Sequence, residues 1–321
     1  MNMDKCPPTI SVLMSVYKEP IDWIKQSINS VLSQTFKSFE LIIICDNPDY
    51  PEVASLLRQY EKQDTRIIVI YNPKNLGLTK SLNEGLKRAK GEFVARLDAD
   101  DISLPTRFEK QLRYMRIHPD VIVLGTNICL IGKTTFLRQR PVINLNDNEI
   151  KAQLLLQNGF VHSSVFIRKS IMDQYKITYD EDYRQTQDLR LWEMLAPLGE
   201  FANLRDKLVL YRISEQQITK ADGKRQVNNA LLIRHRLQKA WLEQIGYKYS
   251  DEELENKPYD ILTKLRQRKD VRKTLEYKAF VKYVYLYKSV NYNFWRIFST
   301  GDWLNLSFMD FLRIFVRITT K

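Results

Sequence analysis

Three cysteines in 321 residues (Cys6, Cys45 and Cys129) are too few for a disulfide framework. That scarcity fits a reducing compartment, and no Cys/His spacing suits a structural zinc site. Glycine is scarce too, at ten residues, and none of them builds a phosphate-cradling loop. Neither GxGxxG nor GxxxxGK[ST] occurs, which argues against dinucleotide-binding dehydrogenases and P-loop NTPases. The absence of a GxSxG elbow argues against an α/β-hydrolase. No run of about 18 uncharged apolar residues exists, so no helix is expected to span a membrane. The opening MNMDKCPPTISVLMSVY holds an acid, two prolines and only a short apolar run, and no secretory signal is expected. Acidic residues are also in short supply, with 38 Asp+Glu against 50 Lys+Arg and a net charge of +12. The imbalance is local. Residues 264–321 hold 13 Lys/Arg against 4 Asp/Glu, a net of +9. Such a segment attracts anionic polymers or anionic lipid surfaces.

Apolar residues are plentiful, at 44% of the chain, enough to bury a sizeable core. The length predicts about two domains, or one large α/β domain with an appendage. Residues 10–17, 39–45, 66–71 and 92–97 read as buried strands, and 21–35, 52–63 and 79–90 as the helices between them. That alternation predicts βαβ units and a parallel sheet. A helix is expected from Pro105 to Arg116. Strands are expected at 121–131, 161–168 and 204–212, and a helix start is expected near Gln187. The stretch between 131 and 161 looks less regular. Beyond about residue 220 the texture turns to polar–apolar helical patterns rich in Lys, Arg, Gln and Leu. We therefore expect a catalytic domain over 1–220 and a basic, aromatic-rich helical extension over 221–321.

Ligands of open parallel sheets sit beyond the carboxyl ends of the strands. Ser15 and Tyr17 follow the first strand, Asp46 the second, and Asp98 and Asp100 the fourth. Any one aspartate there could equally be a turn former or a helix cap. Asp98-Ala99-Asp100-Asp101 is a stronger signal, because three carboxylates in four residues repel one another unless a cation or backbone donors compensate. Hard oxygen ligands of this kind suit Mg²⁺ or Mn²⁺. A solvated acidic turn is the other reading. On a strand His162 and Ser163 would point to opposite faces, so no nucleophile–base pair is expected there. His162 would instead bond within the core or line the cleft.

Several motifs in order resemble the inverting glycosyltransferase family 2. They are ISVLMSVYKEP, SINSVLSQTFKSFELIIICDN, NLGLTKSLNEGLKRAKGEFVARLDADD, GFVHSSVFIRKS, TQDLRLWEML and LVLYRIS. The similarity covers residues 9–215. It implies a GT-A fold, α/β, with a Rossmann-like, mostly parallel central sheet flanked by helices, followed here by the C-terminal helical extension. By resemblance, Tyr17 would lie near a uracil ring and Asp46 would accept its N3–H. Asp98 would contact the ribose, and Asp100 would bind the Mg²⁺ or Mn²⁺ that bridges the diphosphate. Asp188 would be the general base. Ser15 stands where the family commonly has proline, and Cys45 where it has the first of two aspartates. Ser214 stands where many relatives carry histidine. Taken alone, Asp188 reads as the N-cap of the helix that follows it, and the order and spacing relative to LDADD point to the base.

The resemblance implies a UDP-sugar donor and a saccharide or polyprenyl-linked acceptor in cell-surface polysaccharide synthesis. The protein would be cytoplasmic, at the inner face of the cell membrane. Residues 277–317 interleave Tyr, Trp and Phe with Lys and Arg. They could form a peripheral membrane surface or pack as a plain helical extension. Nucleic acid is not expected as a partner, because the cleft chemistry gives it no role. Two rival classes are a metal-dependent nucleotidyltransferase and a non-catalytic basic binding module. The first would want a basic phosphate loop near the first strand, and MSVYKEP lacks one.

Overall fold

Runs of apolar residues without alternation become strands covered on both faces. In the computed structural model, which describes residues 7–132, 145–213, 223–285 and 306, β1 (Ile10–Val16) and β2 (Phe39–Cys45) are buried at every position. Between them, α1 (Ile21–Leu32) turns Ile24, Ile28 and Val31 inward. A proline opens α2 (Pro51–Gln63), which buries Val53 and Leu57 and leads to β3 (Ile67–Tyr71). Next come α3 (Leu78–Arg88), β4 (Phe93–Arg96), the short β5 (Ile102–Ser103), α4 (Arg107–Ile117) and the long β6 (Val121–Gly132).

Eight strands form one sheet in the order β3-β2-β1-β4-β7-β6-β8-β5, completed by β7 (Phe166–Arg168) and β8 (Glu200–Ile213). The half from β3 to β4 is parallel throughout. β7 runs antiparallel to both neighbours, β6 and β8 pair in parallel, and β5 is antiparallel to β8. The sheet is thus mostly parallel, and β7 marks the change of direction.

A buried polar network locks β1, β2 and the entry to β4. Ser11 Oγ donates to Glu40 Oε1 (2.6 Å), which also accepts from the Lys90 amide (2.7 Å), while the Gly91 amide donates to Ser11 Oγ (2.8 Å). Gly91 is needed for this approach. A Cβ there would meet the Ser11 nitrogen at 2.5 Å and the Ile10 carbonyl carbon at 2.7 Å.

Two stretches differ from the expectation. Residues 161–168 are not one strand: His162–Ser164 form a single 3₁₀ turn, and only Phe166–Arg168 pair in the sheet. Ser164 Oγ donates to the Val161 carbonyl (2.8 Å) and Ser163 Oγ accepts from the Asp98 amide (2.8 Å). Hydroxyls that bond the backbone in this way compete with a ladder. The "less regular" stretch contains α5 (Asp147–Leu154). Its buried residues are Ile150, Ala152 and Leu154, a spacing of two that hides a helix from a 3.6-residue search. Two further helices are α6 (Lys169–Gln174) and α7 (Gln187–Leu195).

The described residues divide into two compact units. One comprises those up to Asp147 with Phe160–Asn229, and the other Asn148–Gly159 with those from Ala230 onward. The sheet and its core belong to the first. The second is helical. Its elements include α9 (Asp251–Asn256), α10 (Pro258–Leu265), α11 (Lys269–Arg272) and α12 (Leu275–Tyr283), after α8 (Gly223–Gln244), which begins before Ala230. Its core gathers Leu155, Trp241, Leu242, Ile261, Leu262, Phe280 and Val281. Ser250 and Thr274 cap α9 and α12 by accepting from the amides of Glu253 and Tyr277. Among the described residues no helix is long and apolar enough to cross a membrane. Ser214, Trp295, Trp303 and the rest of the aromatic tail after Tyr285, apart from Leu306, lie outside the described residues.

Candidate active site

Ser15, Tyr17, Asp46, Asp98, Asp100 and Asp188 all line one cleft of about 810 Å³. For the first five the convergence follows from topology: β1, β2 and β4 are parallel neighbours, so the segments after them emerge at one edge of the sheet, while Asp188 comes from the start of α7. At the ends of β1 and β2, Asn47 Nδ2 donates to the Tyr17 carbonyl (3.0 Å). The cation of Lys18 lies 4.9 Å from the Tyr17 ring centre.

Asp46 is held by three donors. Oδ1 accepts from Asn72 Nδ2 (2.7 Å) and the Leu76 amide (2.8 Å), and Oδ2 from the Gly77 amide (2.8 Å). This carboxylate therefore shapes the loop from Asn72 to Gly77. With about four lone-pair sites on a carboxylate, it retains room for one more donor. Gly77 has φ +83°, a left-handed conformation that suits glycine at this sharp turn.

The Asp98–Asp101 turn is held from below by arginine. Arg96, 1% exposed, pairs with Asp98 Oδ1. Arg107, fully buried, donates to the Arg96 carbonyl (2.8 Å) and to Gln111 Oε1 (2.9 Å). From β8, the Arg212 amide donates to Asp101 Oδ1 (2.7 Å) and its Nε to the Asp100 carbonyl (2.8 Å). Asp101 is therefore a buried structural acid. Asp100 faces the cleft. Burial, with the Asp98 and Glu19 carboxylates nearby, pushes its carboxyl up to about 7. Glu19 is raised as well, first by burial. Its carboxylate accepts from the Tyr17 amide (2.7 Å) and lines the same cleft.

Asp188 sits in the first turn of α7, where Thr186 occupies the N-cap position. It is therefore not the cap, although its Oδ1 accepts from the Leu189 amide (2.7 Å). Gln185, just before, adopts φ 68°, rare for a residue with a side chain, and also lines the cleft.

The sequence reading gave no role to Glu19, Arg96 or Arg212. Arg96 was detectable as a lone cation inside the apolar strand FVARL, since a buried arginine needs a partner. Glu19 carries no such signal. No group of three His, Cys, Asp or Glu that could hold a metal occurs among the described residues. The clustering of Asp98, Asp100 and Glu19, with its raised acid, nevertheless leaves concentrated negative charge that a hard divalent cation would satisfy.

A family model described as Glycosyl transferase family 2 matches residues 11–176. The chain is 36% identical over 213 residues to an uncharacterized glycosyltransferase of Methanocaldococcus jannaschii, covering 66% of this chain and 72% of that protein. It is 32% identical over 245 residues to the amylovoran biosynthesis glycosyltransferase AmsE of Erwinia amylovora, covering 74% and 88%. Among solved structures, S. aureus TarS 1–349 in complex with UDP superposes with a TM-score of 0.58 over 97% of this chain and 90% of that one. At 14% identity that likeness is one of fold, the GT-A fold.

Proposed function

The chain belongs to glycosyl transferase family 2, and from that premise we propose that it moves a sugar, with inversion, from a UDP-sugar to a saccharide or lipid-linked saccharide in building a cell-surface polysaccharide. The observation that carries this reading is that a single cleft joins Asp98 and Asp100, beyond a parallel strand, to Asp188 at the start of α7. A donor would lie over the first pair and an acceptor by the third. The fold of TarS accommodates UDP, and AmsE is named for amylovoran biosynthesis.

In this reading Tyr17 and Ser15 flank the base, and Asp46 offers its remaining lone pair to a ring N–H. Asp98, fixed by Arg96, accepts from ribose hydroxyls. Asp100 would hold Mg²⁺ or Mn²⁺ jointly with the diphosphate, and that ion would neutralise charge on the leaving group. Asp188 takes the proton of the acceptor hydroxyl as its oxygen attacks the anomeric carbon from the side opposite the diphosphate. In-line attack inverts that carbon, so one base suffices. We assign catalysis to residues 1–220. We assign to the basic residues of 221–321 a peripheral contact with the inner, cytoplasmic face of the membrane.

The test is a screen of UDP-glucose, UDP-galactose, UDP-N-acetylglucosamine and UDP-N-acetylgalactosamine, reading UDP release with Mn²⁺ or with EDTA. The expected result is metal-dependent release from one preferred donor, and tight binding of UDP itself. Failure to bind UDP under any metal condition would overturn the donor assignment.

A further inference from the structure

Building on the UDP-sugar reading, we infer that His162 presents a neutral Nδ1–H donor to a hydroxyl of the transferred sugar, with Tyr179 as the positioning residue that fixes the tautomer. His162 opens the 3₁₀ turn before β7, and the next residue, Ser163, holds the Asp98 amide (2.8 Å). Its ring also meets Trp192, on the helix that carries Asp188, edge to face at 6.2 Å. The imidazole thus lines the same cleft as the carboxylate assigned to the donor and the one assigned to the acceptor.

The tautomer follows from hydrogen-bond accounting. His162 Nε2 lies 2.9 Å from Tyr179 Oη. Tyr179 is 1% exposed, and its backbone is clamped by Asn83 on α3, which donates to the carbonyl (2.8 Å) and accepts from the amide (2.9 Å). Among the described residues, His162 Nε2 is the one partner of that phenol oxygen. If Nε2 carried the proton, the phenolic hydrogen would be buried without an acceptor, the costlier outcome. Tyr179 therefore donates, Nε2 accepts, and the ring proton sits on Nδ1. Nδ1 has no hydrogen-bond partner among the described residues, yet it is not among the sealed-in polar atoms without one. It therefore opens on the cleft. Burial, helped by the Arg96 guanidinium and opposed by Asp98, lowers the imidazole to about 3, so the ring stays uncharged at neutral pH. Ionised carboxylates only accept hydrogen bonds, and a sugar hydroxyl both donates and accepts. A neutral N–H beside Asp98 supplies the complementary half of hydroxyl recognition.

Two measurements test this. The chain has three histidines, His118, His162 and His235, so ¹⁵N-imidazole NMR of the wild-type protein, assigned with His118→Gln and His235→Gln, reads the tautomer directly. The expected result is a protonated Nδ1 and a bare Nε2 with no titration between about pH 5 and 8; Tyr179→Phe should turn this into a mixture. A protonated Nε2, or a titration near the ordinary histidine value, overturns the inference. In kinetics with the donor the screen prefers, His162→Phe should raise KM about tenfold, the worth of one hydrogen bond. The Kd for UDP alone should stay within about twofold, and His162→Asn, whose amide N–H reaches the Nδ1 position, should recover part of the loss. If UDP binding falls in step with donor binding, Nδ1 faces the diphosphate and the sugar assignment fails. If wild-type protein does not bind UDP, the donor reading fails and this inference falls with it.

Discussion

Asp100 shows how a residue to which a role in the site is proposed can be costly to the fold. The unfolded chain releases its proton near 3.8, whereas in the folded protein burial and the Asp98 and Glu19 carboxylates hold the proton up to about 7. Between those values the folded state binds more protons, so the stability Asp100 contributes at low pH is lost as pH rises from about 4 through 7. Asp100→Asn removes the charge but keeps the shape. In EDTA its melting temperature should match wild type near pH 4 and exceed it above about pH 7, as thermal denaturation across that range would record. The same variant should nearly abolish metal-dependent sugar transfer. A variant that kept wild-type turnover would exclude Asp100 as the metal ligand. Asp188→Asn should lower kcat by roughly 10²–10⁴, the usual worth of a positioned base, while UDP affinity, measured by calorimetry, stays unchanged. Normal turnover per folded molecule, with lost stability, would make Asp188 a helix-start residue only. Five of the six cleft residues were legible because strand ends of a parallel sheet face one edge, whereas Asp188, on α7, was legible only through the family resemblance. Arg107, Arg212 and the partnership of His162 with Tyr179 were not, because side chains from distant segments meet only after folding.

Among the elements, those with strong periodicity were read well. ISVLMSV and FELIIIC became β1 and β2, and the first five helices expected from spacing or from proline were all found. Failures came where local hydrogen bonds override the pattern, as at His162–Ser164, or where a helix buries every second residue, as in α5. Gly91 stands just past the helix expected over 79–90, where a glycine commonly ends a helix. Its larger role is the close approach of the β4 entry to β1, since a Cβ would press on the Ser11 and Ile10 backbone. Backbone cannot yield as a flexible side chain does. Gly91→Ala should therefore destabilise the protein by about 1–3 kcal/mol, measured by urea denaturation. An unchanged midpoint would mean that the strand entry can shift freely.

For the molecule as a whole, the basic tail sets the experiment. A truncation that began at Lys264 would remove Val271, Tyr277, Phe280 and Val281 from the core they share with Trp241 and Leu242, so lost activity would report unfolding. A cut after Tyr285 keeps every buried residue of that cluster and removes only Leu306 among the described residues packed against it. Deleting residues 286–321 should reduce co-sedimentation with anionic vesicles at low salt. Each lost Lys or Arg near the surface is worth about 1 kcal/mol, and high salt should narrow the difference. Equal recovery of both proteins in the supernatant would leave the tail a packing extension. The helical unit is also built from two stretches of chain far apart in sequence. Leu155 lies in its core, and the Leu155 carbonyl accepts a hydrogen bond from Gln238, 83 residues later. As the chain leaves the ribosome, Leu155 and Leu156 therefore emerge long before the residues they pack with in that core, and must wait in water until α8 and the helices after it have been made.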